Sequence, residues 1–191
     1  MALVNVAARE VHCKVVYYGP GFCGKTTNLT YVHEHSADEV KGSLLTIATE
    51  SERTLFFDFL PLDLGMVQGF RLRFHLYTVP GQPLYERTRI SVLTGADGVV
   101  FVVDSQRSRF RDNVLSWQEM DRILTALGKP LASLPHVVQF NKRDLPGVVP
   151  ASILGARLNP HGAPCFEAVA ARGDGVFETL HAVSQLVIGK L

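Results

Sequence analysis

Eight consecutive residues, Gly19-Pro20-Gly21-Phe22-Cys23-Gly24-Lys25-Thr26, carry the pattern of a loop that grips phosphate. The pattern is G-x-x-x-x-G-K-[ST]: its glycines let backbone N–H groups converge on an anion, and a helix starting at its end adds a positive terminus. In such a loop Lys25 reaches the β- and γ-phosphates and the Thr26 hydroxyl serves a magnesium ion. The backbone from Gly19 through Thr27 forms the expected phosphate contact, with Gly21, Phe22, Cys23 and Gly24 contributing. Cys23 is expected to be a small packing residue rather than a reactive thiol.

A second group, Asn141-Lys142-Arg143-Asp144, has the chemistry to choose a purine. Guanine presents two adjacent donors, N1–H and the exocyclic amine, and one carboxylate, Asp144, accepts both. Adenine has no such pair, so a desolvated carboxylate facing it loses about 1–3 kcal/mol or more. Lys142 has an aliphatic stem long enough to lie across the base, and Asn141 can tie this loop back to the phosphate loop. These four residues resemble the N-K-x-D element of Ras-like GTPases. The segment that touches the base edge in those proteins is degenerate here and falls at Val169 and Ala170.

Thr78-Val79-Pro80-Gly81-Gln82 stands where Ras-like proteins carry D-x-x-G-Q. Gly81 is expected to offer its N–H to the γ-phosphate and Gln82 to orient the attacking water. Thr78 replaces the usual aspartate, which leaves metal binding weaker or completed by another carboxylate such as Asp58. Pro83 biases Gln82 towards extended backbone.

That substitution, with Tyr17-Tyr18-Gly19-Pro20-Gly21, the run from Arg53 to Pro61 and the run from Phe74 to Gln82, closely resembles the MglA family of bacterial polarity and gliding-motility GTPases. The resemblance implies a cytoplasmic, GTP-hydrolysing switch with bound GTP or GDP and Mg2+. It makes Thr54 the switch threonine that joins Thr26 around the metal, and Arg53 an arginine finger supplied in cis. Gln82, Arg53 and Lys25 are then the catalytic residues. Polarity or motility effectors are implied, together with an MglB-like roadblock-fold dimer that accelerates hydrolysis. The alternative is a nucleotide-occupied scaffold with little turnover. An ATP-using kinase or transport ATPase is opposed by the N-K-x-D element.

The elements that must position these groups read as an α/β fold. Strand-like runs are Val11 to Tyr18, Leu55 to Leu60, Phe70 to Val79, Gly98 to Val103, His136 to Asn141 and Pro164 to Val169, with a short extra one at Leu44 to Ala48. The expected fold is that of a P-loop small GTPase: a mostly parallel sheet of six or seven strands, helices on both faces, and one antiparallel strand joined across Gly65 to Gly69. Apolar residues at Phe110, Val114, Trp117, Leu124 and Leu127, and at Phe177, Leu180, Val183, Val187 and Leu191, predict two amphipathic helices facing the core.

With 191 residues, 47% hydrophobic and 19% charged, the chain has the size and composition of one ordinary soluble domain, and the resemblance implies a single G domain over 1–191. Its net charge of +1 gives no field for nucleic acid. Three scattered cysteines suit a reducing compartment. No signal peptide, membrane span or lipid-anchor motif is apparent. His33 and His35 are expected at a solvated helix end, and Arg107, Arg109 and Arg111 are expected to be exposed.

Overall fold

The computed structural model describes residues 2–47 and 57–191. Among them eight strands form one sheet: β1 Leu3–Asn5, β2 Glu10–Tyr18, β3 Leu45–Ile47, β4 Phe57–Val67, β5 Phe70–Thr78, β6 Gly98–Asp104, β7 His136–Asn141 and β8 Cys165–Glu167. Their order is β3-β4-β5-β2-β6-β7-β8, with β1 on the start of β2. The centre, β5-β2-β6-β7-β8, is parallel, while β4 runs antiparallel to β5. Two three-residue strands, β1 and β3, add antiparallel pairs at the margins. Only the second of these was expected from sequence, because β1 is exposed throughout and carries no alternation.

The hairpin lies where expected, but its turn is tighter. Strand β4 continues through Gly65 to Val67 with a bulge between Asp63 and Met66, and only Gln68 and Gly69 make the turn. Both have positive φ, 49° and 84°, the requirement of a type I′ turn that follows the twist of the two strands.

Among the described residues five α-helices cover the sheet: α1 Lys25–His35, α2 Glu86–Leu93, α3 Phe110–Ala126, α4 Ala151–Leu158 and α5 Val176–Ile188. Helices α1 and α5 bury Leu29, Val32, Leu180, Val183 and Val187 against Cys13, Val15 and Tyr17 of β2 on one face. On the other, Leu93 of α2, Trp117, Met120 and Leu124 of α3 and Leu154 of α4 close over Val16, Tyr18 and Phe101. Burial on both faces explains the unbroken apolar runs of β2 and β6, and each such side chain contributes about 1.5–3 kcal/mol.

The α3 stripe packs inward as expected. In α5 the buried stripe begins at Val176, whereas Phe177 and Leu191 are exposed; Phe177 meets the edge of Tyr31. No described helix is long and apolar enough to cross a membrane.

Candidate functional site

The phosphate loop joins β2 to α1. Gly24 takes φ 105° just before the helix, and a Cβ there would overlap the Asn141 side-chain amide, so glycine is required on both counts. Helix α1 has no acidic residue in its first turn, which leaves its positive end for an anion. Lys25 is buried, and its Nζ donates to the carbonyls of Gly19 at 2.9 Å and Pro20 at 2.7 Å. The Cys23 Sγ is 3.6 Å from the same nitrogen; the thiol is buried, and that burial raises its pKa. Phe22 and Thr27 are exposed at the rim.

Beneath the loop is a buried chain of uncharged side chains. Asn28 of α1 and Gln139 of β7 exchange two amide hydrogen bonds of 2.9 Å, and Gln139 also donates to Thr179 of α5 at 3.0 Å. Asn28 further donates to the Gly24 carbonyl at 2.9 Å.

The Thr26 hydroxyl donates to Asp58 of β4 at 2.7 Å. Asp58 is fully buried and also accepts from Thr78 at 2.8 Å and Thr46 at 3.0 Å, while its N–H donates to Thr78 Oγ1. Thr78 is thus the hydroxyl partner of a carboxylate on the adjacent antiparallel strand. This places one buried carboxylate at Thr26 despite the missing aspartate at position 78. The oxygen-only donor set of Asp58 and Thr26 fits Mg2+, which takes one or two carboxylates and fills its shell with phosphates and water. No group of three His, Cys, Asp or Glu residues that could hold a metal occurs among the described residues.

Residues Val79 to Gln82 face the phosphate loop across a cleft of about 380 Å³ lined by Gly21, Phe22 and Gly24 to Thr27. Gly81 lies directly on the loop: a Cβ on it would overlap the backbone of Pro20 and Gly21. Gln82 is extended, at φ −84° and ψ 140°, as the following Pro83 requires. Arg53 and Thr54 lie outside the described residues.

At the other end, Asn141 Nδ2 donates to the Cys23 carbonyl at 2.8 Å, and Asn141 Oδ1 accepts from the Ala170 N–H at 2.9 Å. One side chain therefore joins the phosphate loop, the N-K-x-D loop and the segment at Val169 and Ala170. Lys142 has φ 64° and pairs through Nζ with Asp104 at 2.7 Å; Asp104 is buried at the end of β6. Asp144 is exposed two residues further on.

Three charged residues that sequence reading missed, or placed elsewhere, touch this site. Asp104 orients Lys142; its signal was an acid closing the apolar run of β6, at the carboxyl end where ligands of parallel sheets bind. Arg89 is buried and bonds the carbonyls of Pro80 and Gln82 and the carboxylate of Glu119. Arg109, expected to be exposed, is half-buried: it pairs with Asp112 at 2.6 Å and donates to the Gly21 carbonyl at 2.8 Å. Arg107 and Arg111 are exposed as expected, and His35 stacks on Tyr31 at the end of α1.

No protein-family model matches the chain. Over 191 residues, all of this chain and 98% of the relative, it is 51% identical to mutual gliding-motility protein MglA of Myxococcus xanthus. The chain belongs to the MglA family. Similarity reaches further, to ADP-ribosylation factor-like protein 6 of Caenorhabditis elegans, at 30% identity over 118 residues covering 59% of this chain and 61% of that one. The Caenorhabditis briggsae counterpart is 31% identical over 123 residues. These likenesses agree with the architecture, a small-GTPase fold with its phosphate loop after the first long strand. In this chain the Asp58–Thr78 pair connects β4 to β5 at the point where Thr26 meets them.

Proposed function

We propose that this chain is a GTP-driven switch that binds and slowly hydrolyses GTP and acts in gliding motility or cell polarity. The observation that carries the reading is Asn141, which bonds the Cys23 carbonyl and the Ala170 N–H and so fixes the guanine-selecting loop relative to the phosphate loop. Asp144 follows at a set span from the polyphosphate cradle, with Lys142 held by Asp104 for the base face.

In the proposed complex the backbone N–H groups of Gly21 to Thr26 take the β-phosphate, and Lys25 exchanges the carbonyls of Gly19 and Pro20 for phosphate oxygens. Asp58, Thr26 and the switch residue Thr54 would hold Mg2+, which would supply positive charge against the phosphates. The Gly81 N–H binds the γ-phosphate. Gln82 orients the water for in-line attack, and Arg53 stabilises the charge that builds on the transferred group, a contribution of about 10³- to 10⁵-fold in rate for such arginines. Hydrolysis removes the contacts that hold Thr54 and Gly81, so the loops that a partner reads change together. By family resemblance that partner is an MglB-like roadblock-fold dimer, with polarity or motility effectors reading the GTP form in the cytoplasm.

The test is the nucleotide released on denaturation of the purified chain, followed by competition and phosphate release. GDP or GTP is expected at about one per chain, with ATP unable to displace it and turnover rising when a roadblock-type dimer is added. Equal competition by ATP would overturn the reading, and tight GTP binding without turnover in either condition would reduce it to a scaffold.

A further inference from the structure

Arg89 is only 2% exposed, a costly place for a guanidinium unless its donors are met. One terminal nitrogen donates to the carbonyls of Pro80 at 3.2 Å and Gln82 at 2.5 Å, and the other pairs with Glu119 Oε1 at 2.7 Å. The second oxygen of Glu119 accepts the hydroxyl of Tyr18 at 2.8 Å. Tyr18 is the last residue of β2, directly before the phosphate loop. Burial and the Glu119 carboxylate both raise its pKa, which keeps the hydroxyl a donor. A continuous path of hydrogen bonds therefore runs from the strand that carries the phosphate loop, through α3 and α2, to the backbone on both sides of Gly81.

The planarity of the peptide bond gives this path a direction. The carbonyl of Pro80 and the N–H of Gly81 belong to one trans peptide unit, so they point opposite ways. Holding the carbonyl on the Arg89 side aims the N–H away from Arg89. The Gln82 carbonyl is held by the same nitrogen, which fixes the ψ of Gln82, already extended before Pro83.

We propose that Arg89, braced by Glu119 and Tyr18, is a positioning residue for the γ-phosphate: it sets the direction of the Gly81 N–H and the backbone from which Gln82 reaches the water. This rests on the reading of Gly81 and Gln82 given above. Arginine is needed because a planar fork serves two carbonyls and a carboxylate at once, which an ammonium on a flexible stem does not.

The experiment measures GDP and GTP affinity with fluorescent analogues, and single-turnover hydrolysis, for wild type, Arg89→Met, Arg89→Lys and Glu119→Gln. GDP affinity reports folding and is expected within about threefold of wild type, since GDP lacks the phosphate concerned. Arg89→Met is expected to lower the GTP-to-GDP affinity ratio about tenfold, the loss of one hydrogen bond to a charged group. Hydrolysis of bound GTP should slow on the order of 10²-fold, as for removal of one backbone-type donor to a developing charge. Arg89→Lys should fall between, and Glu119→Gln should shift the ratio in the same direction by less. If Arg89→Met fails to bind GDP, Arg89→Lys and Glu119→Gln decide. An unchanged ratio in every variant that binds GDP overturns the proposal. Wild-type chain that binds GTP yet never hydrolyses it would instead sink the switch chemistry, while the affinity ratio still judges Arg89.

Discussion

At the base end of the cleft, Asn141 commits both ends of its amide to backbone groups of two other loops, and Lys142 is held by a buried carboxylate. At the phosphate end, Lys25 bonds carbonyls of its own loop, and Thr26 bonds Asp58. In the proposed GTP complex the first set of bonds survives when a base is added, because the ligand needs none of those partners. In the same proposed complex the second set is the one that phosphates and the metal replace. On the proposed function, preorganisation thus belongs to the end that would select the base, where contacts come without displacing old ones, and exchange belongs to the end that would sense the third phosphate.

The largest break in this contrast is expected from Asp144→Asn. Asparagine keeps one acceptor oxygen and turns an amine towards guanine's own donor, so one hydrogen bond to a charged group, about 1.5–3 kcal/mol, is lost and the other becomes neutral; GTP and GDP affinity should both fall on the order of 10²-fold by titration. A similar affinity would mean that Asp144 does not read the base.

Asp58→Asn should instead leave metal-free nucleotide affinity near wild type and weaken Mg2+ affinity about 10- to 100-fold, as for loss of a supporting metal-site carboxylate. Magnesium titration of the nucleotide complex checks this, and an unchanged midpoint would separate Asp58 from the metal.

Arg109→Met removes the donor on the Gly21 carbonyl. That carbonyl shares a peptide unit with the Phe22 N–H, so a loss of about 0.5–1.5 kcal/mol, or roughly 2- to 10-fold in affinity for GDP and GTP alike, is expected by titration. The GTP-to-GDP ratio should not move, in contrast to the Arg89 variants.

The smallest effect concerns thiol reactivity. Cys23 is buried and its pKa is raised by that burial, and the buried Cys13 is pushed up to about 12, whereas Cys165 is exposed. Because the thiolate is the nucleophile and a raised pKa keeps the thiol protonated at pH 8, alkylation followed by mass spectrometry should label Cys165 first. Cys23 should gain reactivity only as pH rises beyond the ordinary thiol range. Labelling of Cys23 as fast as Cys165 would show the phosphate end to be far more open than its bonds imply.

The α/β class, the hairpin and both loop motifs were legible in the sequence because each is written in short-range order: glycines at fixed offsets, apolar period, four contiguous polar residues. Arg89 and Arg109 were not, since their partners lie 30 and 88 residues away and nothing local distinguishes them from solvated charges, and Asp104, 38 residues from Lys142, left only the local sign of an acid closing an apolar run. The same limit explains α5, where helical spacing admitted Phe177 as well as Val176, and only the packing of the helix on the sheet, which buries Val176, decides between them. Asp58 was anticipated because a motif position lacked its acid, a signal that comes from a gap in a pattern. Arg53 and Thr54, named from the resemblance, lie outside the described residues.

The row of Asn28, Gln139 and Thr179 under the phosphate loop contains no group that gains or loses a proton. Acidity and ionic strength can therefore alter what the loop holds without altering what the loop stands on. Replacing Gln139 by leucine, though nearly the same size, would take a hydrogen-bond partner from two helices at once, leaving Asn28 its bond to the Gly24 carbonyl and Thr179 its bond to the Gly175 carbonyl.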